Sequence, residues 1–181
     1  MMLPLWHVSW TACPVVSSYT MSGQPFIVRL AERRDLGAVG RLGALLLRTH
    51  YEFDPRRFMA PRGDAEDGYA RFLATQLGRD DAVVLVAERE GHVVGYAYAG
   101  IEPMSWKELR DEAGFLHDVC VDESARGTGV ATALVNEATR WLAGRGIPRV
   151  LLWTAAPNAA AQRLFDRLGF RRTMIEMTRE M

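Results

Sequence analysis

The sequence predicts an α/β (α+β) fold: a single three-layer domain with a mixed, mostly antiparallel sheet and helices on both faces. Three observations carry this. Short apolar runs with strand character recur at 26–30, 82–87, 93–99, 115–121 and 149–154. Stretches with helical apolar spacing lie between the first two runs and after each of the last two. The runs at 82–87 and 93–99 are joined by EREGH alone, a hairpin-length link, whereas the later runs are joined through a helix, so the sheet must hold antiparallel and parallel neighbours.

The elements follow in order. FIVRL (26–30) reads as a strand. After Asp35, the apolar positions Leu36, Val39, Leu42, Gly43, Leu46 and Leu47 recur at 3–4 residue spacing, which predicts an amphipathic helix over 36–50. Residues 51–63 carry Pro55 and Pro61 and read as a loop or broken helix. Asp64 is placed to cap a second helix with Tyr69, Phe72, Leu73 and Leu77 on one face. The hairpin turns at Glu90-Gly91, and a polar connection over 100–114 is expected to hold one helical turn at 106–112. FLHDVCV (115–121) is the next strand, followed by a glycine turn and a helix to about Ala143. RVLLWT (149–154) is another strand. Pro157-Asn158 opens a helix to Leu168, which Gly169 closes, and 171–179 is expected to form a last strand.

The 181 residues suit one core of substantial size, and 49% hydrophobic with 24% charged residues matches a globular chain. Twenty-two basic side chains balance 22 acidic ones, so no global field favours nucleic acid or an anionic membrane. Cys13 and Cys120 are the only cysteines, which argues against a disulfide framework and for a reducing, cytoplasmic setting. No cysteine and histidine spacing resembles a zinc site, so no metal is expected. Residues 1–25 are expected to be an N-terminal extension, disordered or a mis-assigned start, and 26–181 the folded domain. The first twenty are apolar, but Pro4 and Pro14 interrupt them, no basic residue precedes them and the run is too short to span a bilayer. Met21 is an alternative initiator to Met1.

The chemistry begins at DESARGTGVATALV (122–135). A strand, a turn with two glycines and a helix start can place successive N–H groups and a helix dipole against a phosphate; an ordinary tight connection reads the same way. A dinucleotide fingerprint fails because Thr132 replaces its third glycine and 147–153 hold no carboxylate. A P-loop fails because the turn has no lysine. What fits is R-x-x-G-x-A, at Arg126, Gly129 and Ala131. It is followed by N-x-x-A-x-x-L-F-x-x-x-G-F, at Asn158, Ala161, Leu164, Phe165, Gly169 and Phe170.

With both motifs in that order and a strand between them, the chain resembles the GNAT superfamily of acetyl-CoA-dependent N-acetyltransferases over about 26–179. The resemblance implies a GNAT-like acyltransferase fold that carries acetyl from acetyl-CoA to a primary amine of a small molecule or peptide, by direct attack in a ternary complex. It implies that the amides of Arg126, Gly127, Thr128, Gly129, Val130 and Ala131 hold the pyrophosphate of coenzyme A. Val119, Cys120 and Val121 would face the pantetheine arm, and the Val119 amide would stabilise the oxyanion. Asn158 would meet the cofactor chain, a role compatible with a plain helix N-cap. Phe165 stands where many members carry a tyrosine that protonates the leaving thiolate. It can pack on the cofactor but has no proton to give, and this departure motivates the alternative of a non-catalytic acyl-CoA sensor.

His117 stands where several members carry a basic glutamate, and strand alternation puts it on a face with Phe115, Val119 and Val121, with Asp118 opposite. Catalytic base and core histidine both remain open for it. Asp118, Tyr51 and Trp106 are the candidate acceptor-binding residues, and Cys120 reads as a small buried side chain rather than a nucleophile. Homodimers are common in the superfamily, and the sequence does not itself demonstrate one.

Overall fold

The computed structural model describes residues 16–21 and 24–181. One six-stranded sheet runs β1 (Val16–Met21), β2 (Gln24–Leu30), β3 (Ala82–Arg89), β4 (His92–Glu102), β5 (Ala113–Val121) and β6 (Val150–Leu152) in sequence order. All neighbours are antiparallel except β5 and β6, which are parallel. The helices are α1 (Leu36–Phe53), α2 (Ala65–Ala74), α3 (Val130–Ala143) and α4 (Ala159–Arg167).

Helices cover both faces, as the sequence predicts. In α3, Val130, Ala133, Leu134, Ala138 and Leu142 recur at helical spacing and are all buried against Leu85, Ala97, Ala99 and Leu116 of the sheet. Phe165 and Leu168 of the α4 region pack on the same cluster. On the opposite face, Val39 and Leu42 of α1 and Leu73 of α2 bury Val84, Val86, Tyr96 and Cys120. Each fully buried leucine or valine contributes roughly 1.5–3 kcal/mol relative to an exposed one.

The two helices over that second face approach closely because α1 carries glycines where they meet. A Cβ at Gly40 would lie 2.5 Å from the Glu66 carbonyl oxygen, and one at Gly43 would lie 2.2 Å from the Tyr69 ring. Gly43→Ala is therefore expected to lower stability by about 1–3 kcal/mol and to displace Tyr69, which chemical denaturation and ring-resolved NMR would register. An unchanged midpoint would mean that the helices separate freely here.

Four features depart from expectation. A strand, β1, precedes Phe26 and pairs with β2 as Ser18↔Ile27 and Tyr19↔Phe26, so organised chain begins upstream of that residue. The N-terminal extension expected over 1–25 falls mostly on 1–15, outside the described residues. Helix α1 continues through Phe53, past the loop expected from Tyr51, because the first proline is Pro55. The 103–112 connection is a tight loop closed by a Ser105↔Arg110 bridge rather than a helical turn; the Arg110 guanidinium donates to the Pro103 carbonyl at 2.9 Å and draws the loop in. Residues 170–181 have no regular structure where a strand is expected at 171–179. Met174, Ile175 and Met177 all stay exposed there.

Candidate active site

The site grows from an irregularity in β5. Its ladder with β4 pairs Tyr98↔Asp118 and then Ala99↔Leu116, which leaves His117 as an extra, bulged residue. A bulge reverses the alternation of side chains, so His117 and Asp118 point to the same face instead of opposite ones. His117 stacks on Tyr98 (4.8 Å), and the Tyr96 hydroxyl donates to Asp118 Oδ2 at 3.0 Å. Tyr96 and Tyr98 share the α1/α2 face of β4. This corrects the expectation that His117 shares a face with Val119 and Val121 and lies opposite Asp118: Val119 and Val121 pack towards α3, whereas His117 keeps only Phe115 of its expected neighbours and shares the other face with Asp118.

Beyond the bulge the sheet opens. β5 and β6 pair only at Gly114↔Val150, Phe115↔Leu151 and Leu116↔Leu152. Among the described residues no strand lies against the β6 side of 117–121, so backbone polar groups on that edge face a gap and need another partner.

The far end of this gap is the glycine turn. Asp122 accepts from the Ser124 N–H (3.0 Å) and hydroxyl (2.7 Å), which folds the chain back into a short 3-10 turn at Glu123–Ala125. Burial opposes these two bonds weakly, and they hold the Asp122 carboxyl below its usual range. Gly127 (φ +74) and Gly129 (φ +85) then take left-handed conformations that only glycine adopts without strain. Gly129 is the N-cap of α3 and supplies no capping side chain, so the first N–H groups of a 14-residue helix are left for a ligand. Nothing lies within 4 Å of a Cβ placed at Gly127, so the approach is open. Thr128 braces the turn by donating to the Ala125 carbonyl (2.7 Å) and accepting from Arg89 at the end of β3 (3.0 Å). The Arg126 guanidinium lies back along the turn, 3.4 Å from both the Val121 carbonyl and Glu123.

On the α1/α2 side, the gap widens into a cleft of about 350 Å³ lined by β5, the β6 end, α1, α2 and α4. His117 lies between the rings of Tyr98 and Phe115 (4.8 and 5.1 Å), with its Nε2 3.3 Å from Glu102 Oε1. Burial lowers its pKa below the ordinary value, and the Glu102 carboxylate only partly offsets this, so the ring is neutral at pH 7. Burial pushes the Asp118 carboxyl up to about 6, against the Tyr96 hydrogen bond and the charge of His50. Cys120 sits deeper on the same face; burial pushes its thiol up to about 12, which leaves it inert.

Of the residues singled out from sequence, His117, Asp118, Val119, Asn158 and Phe165 come together in the cleft lining. Asn158 also caps α4, accepting from the Ala161 N–H at 3.0 Å, so its two readings coexist. Tyr51 and Trp106 stand outside that lining, and Trp106 is 81% exposed on the 103–112 loop. His50, Phe58, Tyr69 and Trp153 line the cleft and escape sequence reasoning. Helical spacing places His50 one turn after Leu46 and Leu47, a faint signal; Trp153 offers none beyond its place after a strand.

An open sheet edge leading to an uncapped helix start defines a class of α/β proteins that can grip an extended, phosphate-bearing ligand. The acetyltransferase (GNAT) family matches residues 45–170 of this chain, which therefore belongs to that family. A mycothiol acetyltransferase of Thermomonospora curvata is 33% identical over 98 residues, 54% of this chain and 31% of the relative. An aminoglycoside N(6')-acetyltransferase type 1 of Klebsiella aerogenes is 32% identical over 101 residues, 56% of this chain and 66% of the relative. The chain thus spans about a third of the mycothiol acetyltransferases it matches. The aminoglycoside N-acetyltransferase AAC(6')-Iy, solved in complex with CoA, superposes with a TM-score of 0.67 at 20% identity, over 91% of this chain and 96% of that one, which shows a common fold. No described helix is long and apolar enough to cross a membrane.

Proposed function

We propose that the protein is an N-acetyltransferase that moves acetyl from acetyl-CoA to a primary amine of a small molecule or peptide. The observation that carries this reading is the opening between β5 and β6 that ends at the uncapped N-terminus of α3. The residues present fit coenzyme A: the N–H groups of 126–131 for the pyrophosphate, the free edge of Val119–Val121 for the arm, and Asn158 and Phe165 along its flank. Acetyl-CoA supplies an activated thioester carbonyl.

The Val119 N–H is assigned to the carbonyl oxygen as negative charge develops there. His117, neutral at pH 7, takes one proton from the incoming ammonium, which frees the nitrogen lone pair to form the new C–N bond. As the C–S bond breaks, the nitrogen loses its second proton, which ends on the thiolate or in water; Phe165 takes no part in that transfer.

Titration calorimetry with acetyl-CoA, followed by thiol release with a panel of amines, tests this. Binding with turnover is expected. His117→Ala is expected to lower kcat about 10²-fold with acetyl-CoA affinity unchanged. In the wild type, the rate should rise with pH through the His117 pKa, which lies below the ordinary 6.5. Equal turnover of the variant at every pH removes His117 from the base role. Phe165 is the observation that favours the second reading, a sensor domain, and binding without thiol release on the whole panel would select it.

A further inference from the structure

The acetyl-transfer reading leaves the acceptor open, and the cleft's own chemistry narrows it. Asp118 is the one carboxylate among the described lining residues. The titratable groups that face it are the Tyr96 hydroxyl and Tyr98 of β4, Tyr69 of α2, His50 of α1 and Cys120 of its own strand. The lining offers it no lysine or arginine partner within ion-pair distance. A desolvated carboxylate held this way costs several kcal/mol unless a cation joins it, and a ligand's ammonium can do so.

Around that charge the walls are apolar and ring-rich. Phe58, Tyr69 and Trp153 line the cleft together with Leu46 and Met59, and Trp153 and Met59 are 70% and 75% exposed at its rim. The only arginine in the lining, Arg57, is already engaged by Glu176 in a two-bond ion pair from the C-terminal segment. A volume of about 350 Å³ is near the lower end of ligand clefts, which run roughly 300–1,000 Å³, so the space admits one ring and a short chain.

We propose that the acceptor is a monocationic primary amine on an aromatic or similarly apolar body, its ammonium received by Asp118 and its body by Phe58, Tyr69 and Trp153. This rests on the acetyl-transfer reading and goes further, because it excludes a polycation. A second ammonium would be desolvated against Leu46, Met59 and the rings, where the lining holds no second carboxylate to meet it. The bulge makes the arrangement productive: His117 and Asp118 are consecutive and share a face, so the ammonium that Asp118 holds lies beside the imidazole that deprotonates it. Burial keeps the Asp118 carboxyl near 6, so it is ionised at pH 7 and available to the cation.

The test is thiol-release kinetics of the full chain with acetyl-CoA and three acceptors: 2-phenylethylamine, 1,4-diaminobutane and an aminoglycoside. Expected is a kcat/KM for phenylethylamine at least about 10-fold above either polycation. Asp118→Asn should raise its KM about 10-fold or more with acetyl-CoA affinity unchanged. Trp153→Ala, at an exposed position, should raise the same KM and leave that of methylamine unaltered. Equal or greater turnover of the diamine or aminoglycoside overturns the proposal, as does an unchanged phenylethylamine KM in both variants. Absence of thiol release with every amine of a broad panel, by protein that binds acetyl-CoA, overturns the acetyl-transfer reading itself and this proposal with it.

Discussion

Gly129→Glu is expected to abolish measurable acetyl-CoA binding in a protein that still folds. Two effects act at this position. Gly129 has φ +85, and an L side chain held in the left-handed region costs roughly 1–2 kcal/mol. The larger effect is electrostatic. Gly129 is the N-cap of α3, so a carboxylate there sits where the helix's free N–H groups and the positive end of its dipole would meet a pyrophosphate. It both satisfies those donors from within and repels the ligand's negative charge. A loss of at least about 100-fold, near 3 kcal/mol, follows. Gly129→Ala separates the two effects: it carries the strain without the charge and should keep most of the affinity. Calorimetric titration of both variants with acetyl-CoA, with circular dichroism to establish folding, decides the matter. Wild-type affinity in a folded Gly129→Glu protein would place the pyrophosphate elsewhere.

The same turn shows how far the sequence could be read. Glycines at 127 and 129 between a strand and a helix announce a backbone conformation and a helix start, and the local chain delivers both. α1, α3 and the β3–β4 hairpin are likewise set by apolar period and turn chemistry within a few residues. The bulge at His117 is different. It arises from how β5 registers against β4, and FLHDVCV taken alone alternates without a break, so the relative facing of His117 and Asp118 was out of reach. The brace from Arg89 to Thr128 joins residues 39 apart in sequence and has no local signature. The ring wall of the cleft is assembled from three separate segments carrying Phe58, Tyr69 and Trp153, each an ordinary core candidate by itself. β1 stayed hidden because VSSYTM follows a proline-broken apolar stretch and lacks a clear two-residue period.

Asp35→Ala is expected to destabilise the fold by about 3 kcal/mol at pH 7, the low end for removing one partner of a buried ion pair. Asp35 receives both ends of the Arg29 guanidinium, Nη1 on Oδ2 at 2.7 Å and Nη2 on Oδ1 at 2.9 Å, with side-chain exposures of 10% for Arg29 and 5% for Asp35. It also accepts the Glu32 N–H at 2.8 Å, which fixes the chain's entry into α1. The cost stays at the low end because Arg29 keeps its bonds to Glu88 on β3, at 2.6 and 2.8 Å. Burial alone would raise the Asp35 carboxyl, but the Arg29 hydrogen bonds, the Glu32 N–H and the nearby positive charge outweigh it and hold the group below its usual range. A carboxyl depressed in the folded state contributes its full stability above the unfolded value of about 3.9 and loses it as pH falls through the lower folded value. The gap between wild type and Asp35→Ala in urea denaturation should therefore be full at pH 7 and shrink towards pH 3. A gap equal at both pH values would mean that shape and packing, not the charge, are what Asp35 supplies. The functional consequence follows from what this network anchors. Arg29 ties β2 and β3 to the start of α1, and α1 carries Leu46 and His50 to the side of the cleft proposed for the acceptor, while the glycine turn proposed for the pyrophosphate hangs from β5 and α3. Loosening α1 should raise the KM for the amine before it alters affinity for acetyl-CoA, so the two halves of the site should fail separately.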